Sequence, residues 1–164
     1  MKVSELMTKT VAFCGPDTNL AEAAATMWEK DCGFLPVVAH DGKLTGVITD
    51  RDICIALGTR NQRPSDVTVG VVASGQSLTC RPNDDVQAAI HLMRRERIRR
   101  LPVVNEHGGL AGVLSLNDIA LNARAGDSQA SRALSMEEVA SALRAVCERS
   151  PASVAVRSAA AGGE

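Results

Sequence analysis

The sequence contains an internal repeat with a period of 66 residues. A shift of that length needs no gap and places residues 35–38, which read Leu-Pro-Val-Val, on residues 101–104. When residues 1–56 are compared with 67–122, 15 positions are identical, and 10 of them lie between Leu35 and Ile53. A solenoid needs three or more stacked units to bury its core. Two copies instead predict a pseudo-symmetric pair of half-domains, each only marginally stable alone and therefore expected to fold against the other.

Charge and composition argue against several classes of function. The 164 residues include 18 basic and 19 acidic side chains, and the formal net charge of -1 gives no overall attraction to nucleic acid or membrane. Two Phe, one Trp and no Tyr supply few of the aromatic platforms on which single-stranded nucleic acid stacks. No apolar stretch approaches the roughly 20 residues that span a bilayer.

The cysteines indicate a reducing compartment. They number five and form no Cys-x-x-Cys pair, and the chain starts without the basic-then-apolar run of a signal peptide. We therefore expect a cytoplasmic protein. Cys14 and Cys80 occupy equivalent repeat positions in apolar segments, which favours buried, inert thiols over a regulatory disulfide. The others are Cys32, Cys54 and Cys147.

Each repeat is predicted to contain the elements β-α-β-β-α. A short strand at 11–14 or 77–80 precedes a Pro-containing turn and a helix. Asn19, Asp84 and Asp85 lie where they can cap these helices. The apolar positions with helical spacing are Leu20, Ala23, Ala24 and Met27 in the first repeat and Val86, Ala89, Ile90 and Met93 in the second. A hairpin with Gly in its turn and a second helix complete each repeat.

Breaks in this pattern set the predicted boundaries. Repeat 1 spans 1–58, with Gly58 ending its last helix, a polar linker spans 59–66, and repeat 2 spans 67–124. A helical extension is predicted at 125–150, where Ser135 begins a capping box. Its apolar stripe is Met136, Val139, Ala140, Leu143, Val146 and Cys147, and we expect it to cover the module or join a dimer contact. The tail at 151–164, rich in Ala, Ser and Gly, is expected to be flexible.

These features together resemble the CBS domain, and the two copies resemble a CBS pair, or Bateman module. The resemblance covers about residues 1–124 and rests on the doubled Leu-Pro-Val, the doubled hairpin and the doubled Gly-x-x-(Thr/Ser)-x-x-Asp ending at Asp52 and Asp118. It implies a mixed α/β (α+β) fold with two repeats packed sheet against sheet, two ligand clefts per chain and dimerisation into a disc. The clefts of many members bind AMP, ADP, ATP, NAD or S-adenosylmethionine, whereas other members have no known ligand.

Thr49 with Asp52, and Ser115 with Asp118, match the ribose-and-phosphate motif of that family. A carboxylate can accept both hydrogen bonds of a ribose diol, and a hydroxyl at a helix N-terminus can help the backbone N–H groups to hold a phosphate. The same pairs would also form ordinary helix caps in a protein without a ligand. The two interpretations are compatible.

Arginines distinguish the two predicted clefts. Arg99 and Arg100 end an arginine-rich run and immediately precede the Leu-Pro-Val that lines a cleft in the family, so they could hold phosphates by bidentate contacts. The equivalent Gly33 and Phe34 cannot. Arg51 stands at a helix start, where a cation is unfavourable unless a phosphate lies in front of it, although a solvated arginine is the alternative.

The resemblance also implies two sets of base-contacting residues, the second more polar than the first. They are Thr10, Val11, Phe34, Leu35 and Pro36 in one cleft, and Gln76, Ser77, Leu101 and Pro102 in the other, with Asn117 at the position that Arg51 occupies in the first repeat. For any single apolar residue among them, core packing is the competing explanation.

The sequence favours a stand-alone regulatory module over an enzyme. It contains no recognisable nucleophile and base constellation or Gly-rich phosphate loop, and its three His lack metal-ligand spacing. We predict a homodimer that binds AMP, ADP or ATP, with NAD or S-adenosylmethionine as alternatives and no metal beyond a nucleotide-bound Mg²⁺. Its signal would pass to an effector protein. The rival predictions are a ligand-free interaction protein acting through its surface and C-terminal helix, and a cysteine-based redox or metal sensor.

Overall fold

The structure, a computed structural model, describes residues 1–75, 77–123 and 134–148. Gln76 and the predicted tail at 151–164 lie outside the described residues. The same is true of residues 124–133 and 149–150, which include the two ends of the predicted C-terminal extension.

The two repeats contain matching elements in the same order. The first has α1 (Val3–Leu6), α2 (Leu20–Glu29), β1 (Phe34–Val38), β2 (Leu44–Thr49) and α3 (Asp50–Arg60). The second has α4 (Val69–Val72), α5 (Val86–Glu96), β3 (Arg100–Val104), β4 (Leu110–Ser115) and α6 (Leu116–Asn122). A 3-10 turn at Pro64–Asp66 lies between them, and α7 (Met136–Cys147) follows. The predicted mixed α/β repeat architecture is confirmed. The short helices α1 and α4 were not expected from the sequence.

Each repeat is built on one antiparallel hairpin. β1 pairs with β2 so that Phe34 lies opposite Thr49, and β3 pairs with β4 so that Arg100 lies opposite Ser115. Gly42 and Gly108 in the turns both have φ of +80°, a conformation that favours glycine. The hairpins meet at these turns, where Leu44 N donates to Gly108 O at 3.0 Å.

The strand expected before each helix is reduced to a single parallel bridge. Cys14 N donates to Pro36 O at 3.0 Å, and Val38 N donates to Cys14 O at 2.8 Å. Cys80 makes the same two bonds in the second repeat. The ladder does not extend because Pro36 has no N–H and Pro16 follows Cys14 after one residue.

The helices α2 and α5 bury the expected faces, with one exception. All four predicted positions of α5 are buried, and in α2 Leu20, Ala23 and Met27 are buried. Ala24 is exposed, although the equivalent Ile90 is buried. Asn19 caps α2 by accepting from Glu22 N at 2.9 Å. Asp85 caps α5 by accepting from Gln87 N, also at 2.9 Å.

The prediction that Gly58 ends a helix is wrong. α3 continues through Gly58 to Arg60, and the chain leaves the helix at Asn61, which has φ of +49°. Thr59 Oγ1 donates to Ile55 O at 2.8 Å within the continuing helix. Asparagine tolerates the left-handed conformation, so the turn does not require glycine.

The short helices α1 and α4 are exchanged between the repeats. Val3, from the start of repeat 1, is fully buried in the core of repeat 2, and Val69 is fully buried in the core of repeat 1. Val3 N donates to Asp84 O at 3.0 Å, and Val69 N makes the equivalent bond to Thr18 O at 2.8 Å. Each hydrophobic core is therefore completed by a segment of the other repeat.

Two glycines allow the segments that follow α1 and α4 to run close beside the hairpin of the other repeat. The carbonyl oxygen of Ser74 lies 2.6 Å from where a Cβ at Gly46 would stand, and that of Thr8 lies 2.5 Å from the corresponding position at Gly112. Beside them, Ser74 N donates to Val47 O at 3.1 Å. A side chain at either glycine would push the neighbouring backbone away.

The C-terminal helix α7 packs on α5 and α6 of the second repeat. The predicted capping box is present, because Ser135 N donates to Glu138 Oε2 at 3.1 Å and Glu138 N donates to Ser135 Oγ at 3.2 Å. Gln87 Nε2 donates to the same carboxylate oxygen at 3.0 Å and so ties α7 to α5.

The buried face of α7 differs from the predicted stripe. Val139 and Ala142 are buried and Val146 packs against the core. Met136 and Leu143 are 48% and 49% exposed. Ala140 and Cys147, which also belong to the predicted stripe, are exposed too. The helix is apolar on more than one side, so its periodicity alone could not select the side that meets α5.

We expect Val69→Ala to lower the free energy of unfolding by about 2 kcal/mol, because it empties a site in the first core. The matched control is Val71→Ala in the same helix, where the side chain is 59% exposed and the change should stay within about 0.5 kcal/mol. Urea denaturation measures both. Amide hydrogen exchange should accelerate in β1 and β2 more than in β3 and β4. The reverse pattern would contradict the packing of α4 in the core of repeat 1.

We expect Gly46→Ala to destabilise the protein by about 1–3 kcal/mol, because its methyl group would overlap the Ser74 carbonyl oxygen. Gly58→Ala should instead stabilise it by roughly 0.5–1 kcal/mol, since Gly58 lies inside α3 with nothing within 4 Å of an added Cβ. Thermal unfolding of the two variants should shift in opposite directions. Equal shifts would show that the backbone contact at Gly46 is not tight.

Candidate functional site

Two clefts lie where the repeats meet, and each is lined by residues from both repeats. We name them by the capping motif at their edge. The first cleft adjoins Thr49 and has a volume of about 310 Å³, and the second adjoins Ser115 and has a volume of about 430 Å³. Both volumes fall within the usual size range of small-molecule sites.

The second cleft combines an apolar wall from repeat 1 with a polar edge from repeat 2. Its wall includes Val11, Phe34 and Pro36, and Thr10 also lines it. The polar edge comes from the β4–α6 junction, with Ser115, Asn117 and Asp118. The sequence thus identified residues from both repeats that the fold brings into one cleft.

The first cleft has a more apolar lining than the second, because Val47, Leu78 and Ile98 line it, and the prediction that its base pocket is the more polar one is wrong. The cleft also contains Thr49 at the start of α3, together with Ser77, Arg99, Arg100 and Pro102 from the second repeat. Ser77 Oγ is buried and has no hydrogen-bond partner within the described residues.

Both Thr/Ser-x-x-Asp motifs form capping boxes. Asp52 Oδ2 accepts from Thr49 N at 2.9 Å and from Thr49 Oγ1 at 2.7 Å. Asp118 Oδ2 accepts from Ser115 N at 2.8 Å and from Ser115 Oγ at 2.6 Å. Each aspartate therefore uses one oxygen to hold the start of its helix.

The other oxygen of each aspartate differs between the motifs. Asp118 Oδ1 accepts only a long bond of 3.4 Å from Thr8 Oγ1 among the described residues, and Asp118 lines the second cleft. Oδ1 of Asp52 accepts no hydrogen bond from the described residues, but Asp52 is not among the residues that line the first cleft. Asp118 is thus the better placed of the two to meet a ligand.

Besides Asp52, three predicted contact residues do not line the clefts. Leu35 and Leu101 are fully buried, one in each core, because alternate side chains of β1 and β3 point away from the cleft. Arg51 is exposed and lines neither cleft. The structure therefore favours core packing for the two leucines and a solvated side chain for Arg51.

The clefts also contain residues that sequence reasoning missed. Thr8 lies in the second cleft and Ser74 in the first, and these two occupy equivalent repeat positions. The shared hydroxyl at one repeat position was a usable signal. Lys30 and Asp31 in the second cleft come from the end of α2 and have no such pattern.

Phe34 and Arg100 contact each other between the clefts. The Cζ of Arg100 lies 5.8 Å from the centre of the Phe34 ring, within the range of a cation–π interaction. Both residues line both clefts. Arg100 is half-buried, whereas Arg99 is exposed.

The five cysteines are free thiols in contrasting environments. Burial raises the pKa of the Cys14 thiol to about 11. Burial, together with the Asp84 carboxylate, raises the pKa of Cys80 to about 12. Thiolates are the reactive form of cysteine, so these two positions are poor candidates for redox chemistry, whereas Cys54 and Cys147 are exposed.

The described ranges contain neither a cluster of metal-ligating side chains nor a candidate membrane-spanning helix. No group of three or more His, Cys, Asp or Glu side chains there is arranged to hold a metal ion. No helix in those ranges combines the length and apolar character needed to cross a membrane.

The comparison with known families identifies both repeats. The CBS domain family model matches residues 3–59 and 69–123. The chain therefore belongs to the CBS domain family, with two copies that form a CBS-pair regulatory module.

Two relatives match this chain over most of their own length. The CBS domain-containing protein YhcV of Bacillus subtilis (strain 168) is 36% identical over 129 residues, which cover 79% of this chain and 90% of that protein. Hypoxic response protein 1 of Mycobacterium tuberculosis (strain CDC 1551 / Oshkosh) is 34% identical over 116 residues, which cover 71% of this chain and 80% of that protein.

Solved structures share the fold. The crystal structure of hypoxic response protein I with two coordinated zinc ions has a TM-score of 0.69 and 31% identity, covering 76% of this chain and 100% of that chain. The crystal structure of CBSX2 in complex with AMP has a TM-score of 0.64 and 26% identity, covering 71% of this chain and 91% of that chain.

We expect Cys54 and Cys147 to react rapidly with a chromogenic disulfide reagent at pH 8, and Cys14 and Cys80 to react only when the fold opens. Burial and the raised pKa of both thiols protect them. The rate of colour release in the native protein measures this, with urea-unfolded protein as the control for five thiols. Rapid reaction at Cys14 or Cys80 would instead support the prediction of a cysteine-based redox sensor.

Proposed function

We propose that this CBS pair binds an adenine nucleotide, AMP, ADP or ATP, in the clefts between its repeats and signals to an effector protein through a change in how the repeats sit together. The second cleft carries this proposal. An apolar wall at Val11, Phe34 and Pro36 suits a base, and Oδ1 of Asp118 suits the hydroxyls of a ribose. The AMP complex of CBSX2 supports the same ligand class.

The first cleft contributes the groups that suit phosphate. Arg99 and Arg100 line it together with Thr49, which lies at the N-terminus of α3. Guanidinium groups bind phosphate oxygens in a bidentate manner, and a helix N-terminus adds unpaired N–H groups and a positive dipole end. Ser77 stands where the other cleft has Val11, while Leu78 and Ile98 supply apolar surface for a base.

Signalling would follow from the composition of the clefts. Because each cleft is lined by both repeats, a bound nucleotide contacts both at once. Such a ligand binds best to one relative arrangement of the repeats and shifts the population toward it. An effector protein that distinguishes the two arrangements then senses the nucleotide.

We also propose that the module is a homodimer that works in the cytoplasm. The α2/α3 face of repeat 1 is uncovered, with Trp28 88% exposed and a cavity of about 450 Å³ beside it that Met27 and Ile53 help to line. A second copy would bury this apolar surface. Five free thiols suit a reducing compartment.

The second candidate is an interaction protein whose clefts stay empty. The exposed Met136 and Leu143 on α7 favour it, because they leave an apolar strip on the outer side of a helix already docked on the module. A partner helix could pack there without any nucleotide. The two candidates differ in whether ligand affinity depends on cleft residues.

Calorimetric titration distinguishes them. We expect at least one of AMP, ADP and ATP to bind nucleotide-free protein, with NAD and S-adenosylmethionine also tested. Asp118→Ala should weaken that binding by about tenfold or more, because it removes an acceptor for charge-assisted hydrogen bonds. Arg99→Gln should weaken the binding of phosphorylated nucleotides in the first cleft, with adenosine as the phosphate-free comparison.

The matched control is Asp85→Ala. Asp85 caps α5, so this variant loses a cap worth about 1 kcal/mol, as Asp118→Ala does, but Asp85 lines neither cleft. Its nucleotide affinity should match that of the wild type. Absence of heat with all five compounds in folded, nucleotide-free protein would reject nucleotide binding and favour the second candidate.

A further inference from the structure

Phe34 and Arg100 occupy equivalent repeat positions but have opposite chemistry. Each is the first residue of its strand, and each lines both clefts. The 5.8 Å between the Arg100 Cζ and the centre of the Phe34 ring makes them one wall between the two sites. A residue in this wall can respond to a ligand on either side.

The charges around this wall are uneven. In the first cleft Arg100 is joined by a second cation, Arg99, and no carboxylate from the described part of the chain lines that cleft. In the second cleft the other charged lining residues are Lys30, Asp31 and Asp118. Without Arg100, the second cleft therefore has two carboxylates against one ammonium group and repels a phosphate.

We propose that the two clefts share the Arg100 guanidinium, so that a phosphorylated nucleotide in the first cleft weakens the binding of a second one in the second cleft. This inference rests on the proposed function and names a regulation of the same site. The resting position of Arg100 over Phe34 is held by a half-buried cation–π contact, which is weaker than a charge-assisted bond to phosphate. The first phosphate to bind therefore draws the guanidinium to its own side.

The coupling depends on the phosphate and not on the base. Adenosine has no anionic group to attract Arg100, so its binding in one cleft leaves the guanidinium available to the other. AMP and adenosine differ only in that group. Comparing them separates this mechanism from a general closing or opening of the module, which either compound would cause.

The experiment compares each cleft alone with both together. Ser77→Phe fills the first cleft and Thr10→Trp fills the second, since each residue lines only the cleft in question. Leu78→Trp is the alternative first-cleft variant if Ser77→Phe does not fold, because Leu78 is 40% exposed and lines the same cleft. AMP and adenosine are titrated by calorimetry into the wild type and into these variants, each of which has one cleft left open and is called a single-cleft variant. The same titrations are repeated with Arg100→Gln added to every protein.

We expect each single-cleft variant to bind one AMP. In the wild type, the second cleft should bind AMP about tenfold more weakly than it does when Ser77→Phe or Leu78→Trp has filled the first cleft. The difference should disappear in the Arg100→Gln background and should be absent for adenosine at any ligand concentration.

Three other results would contradict the coupling, and each has a different meaning. If both variants bind AMP and the wild-type isotherm is their sum, the clefts are independent and the coupling is wrong, while the proposed function stands. If adenosine shows the same coupling as AMP, Arg100 is not its cause. If neither variant nor the wild type binds AMP, the proposed function fails for this nucleotide, and the coupling fails with it.

Discussion

The burial of Val3 in the second core and of Val69 in the first is the interaction on which the rest of this structure depends. Neither repeat can close its core with its own first helix, so the two must fold as a unit. The segment that follows each exchanged helix then runs beside the partner hairpin, at Gly46 or Gly112. These crossing segments hold the repeats together, and the two clefts form in the space between the hairpins.

The pseudo-symmetry of the backbone is not matched by the side chains at the clefts. Equivalent positions hold Val11 and Ser77, Phe34 and Arg100, and Gly33 and Arg99. The capping boxes at Asp52 and Asp118 have nearly the same bond lengths, so the structural function of the motif is the same in both repeats. The residues that line the clefts differ, so that the second cleft contains carboxylates while the first has two arginines and no carboxylate among the described residues.

The sequence predicted features that depend on local chemistry or on repetition, such as the N-caps at Asn19 and Asp85, the glycine turns and the elements shared by the repeats. Predictions from the sequence were wrong or incomplete where tertiary packing determines the end of a helix or the side of an element that is buried. Gly58 remains in a helix because Asn61 ends it, and the buried side of α7 is chosen by α5. Leu35 and Leu101 could be assigned to core or cleft only once the orientation of their strands was known. The contact of Arg100 with Phe34 joins residues 66 positions apart, and no spacing rule brings them together.

The position of α7 also limits how copies of this chain can assemble. It covers the α5/α6 face, whereas the equivalent α2/α3 face leaves Trp28 88% exposed among the described residues. Two copies that meet through their α2/α3 faces present identical surfaces to each other, so the contact is isologous and is completed by two chains. If both faces were open, the first repeat of one copy could pair with the second repeat of the next, and nothing in that contact would stop the chain of copies from growing. In the proposed homodimer, α7 would favour a closed assembly over an open filament, because it covers one of two similar surfaces.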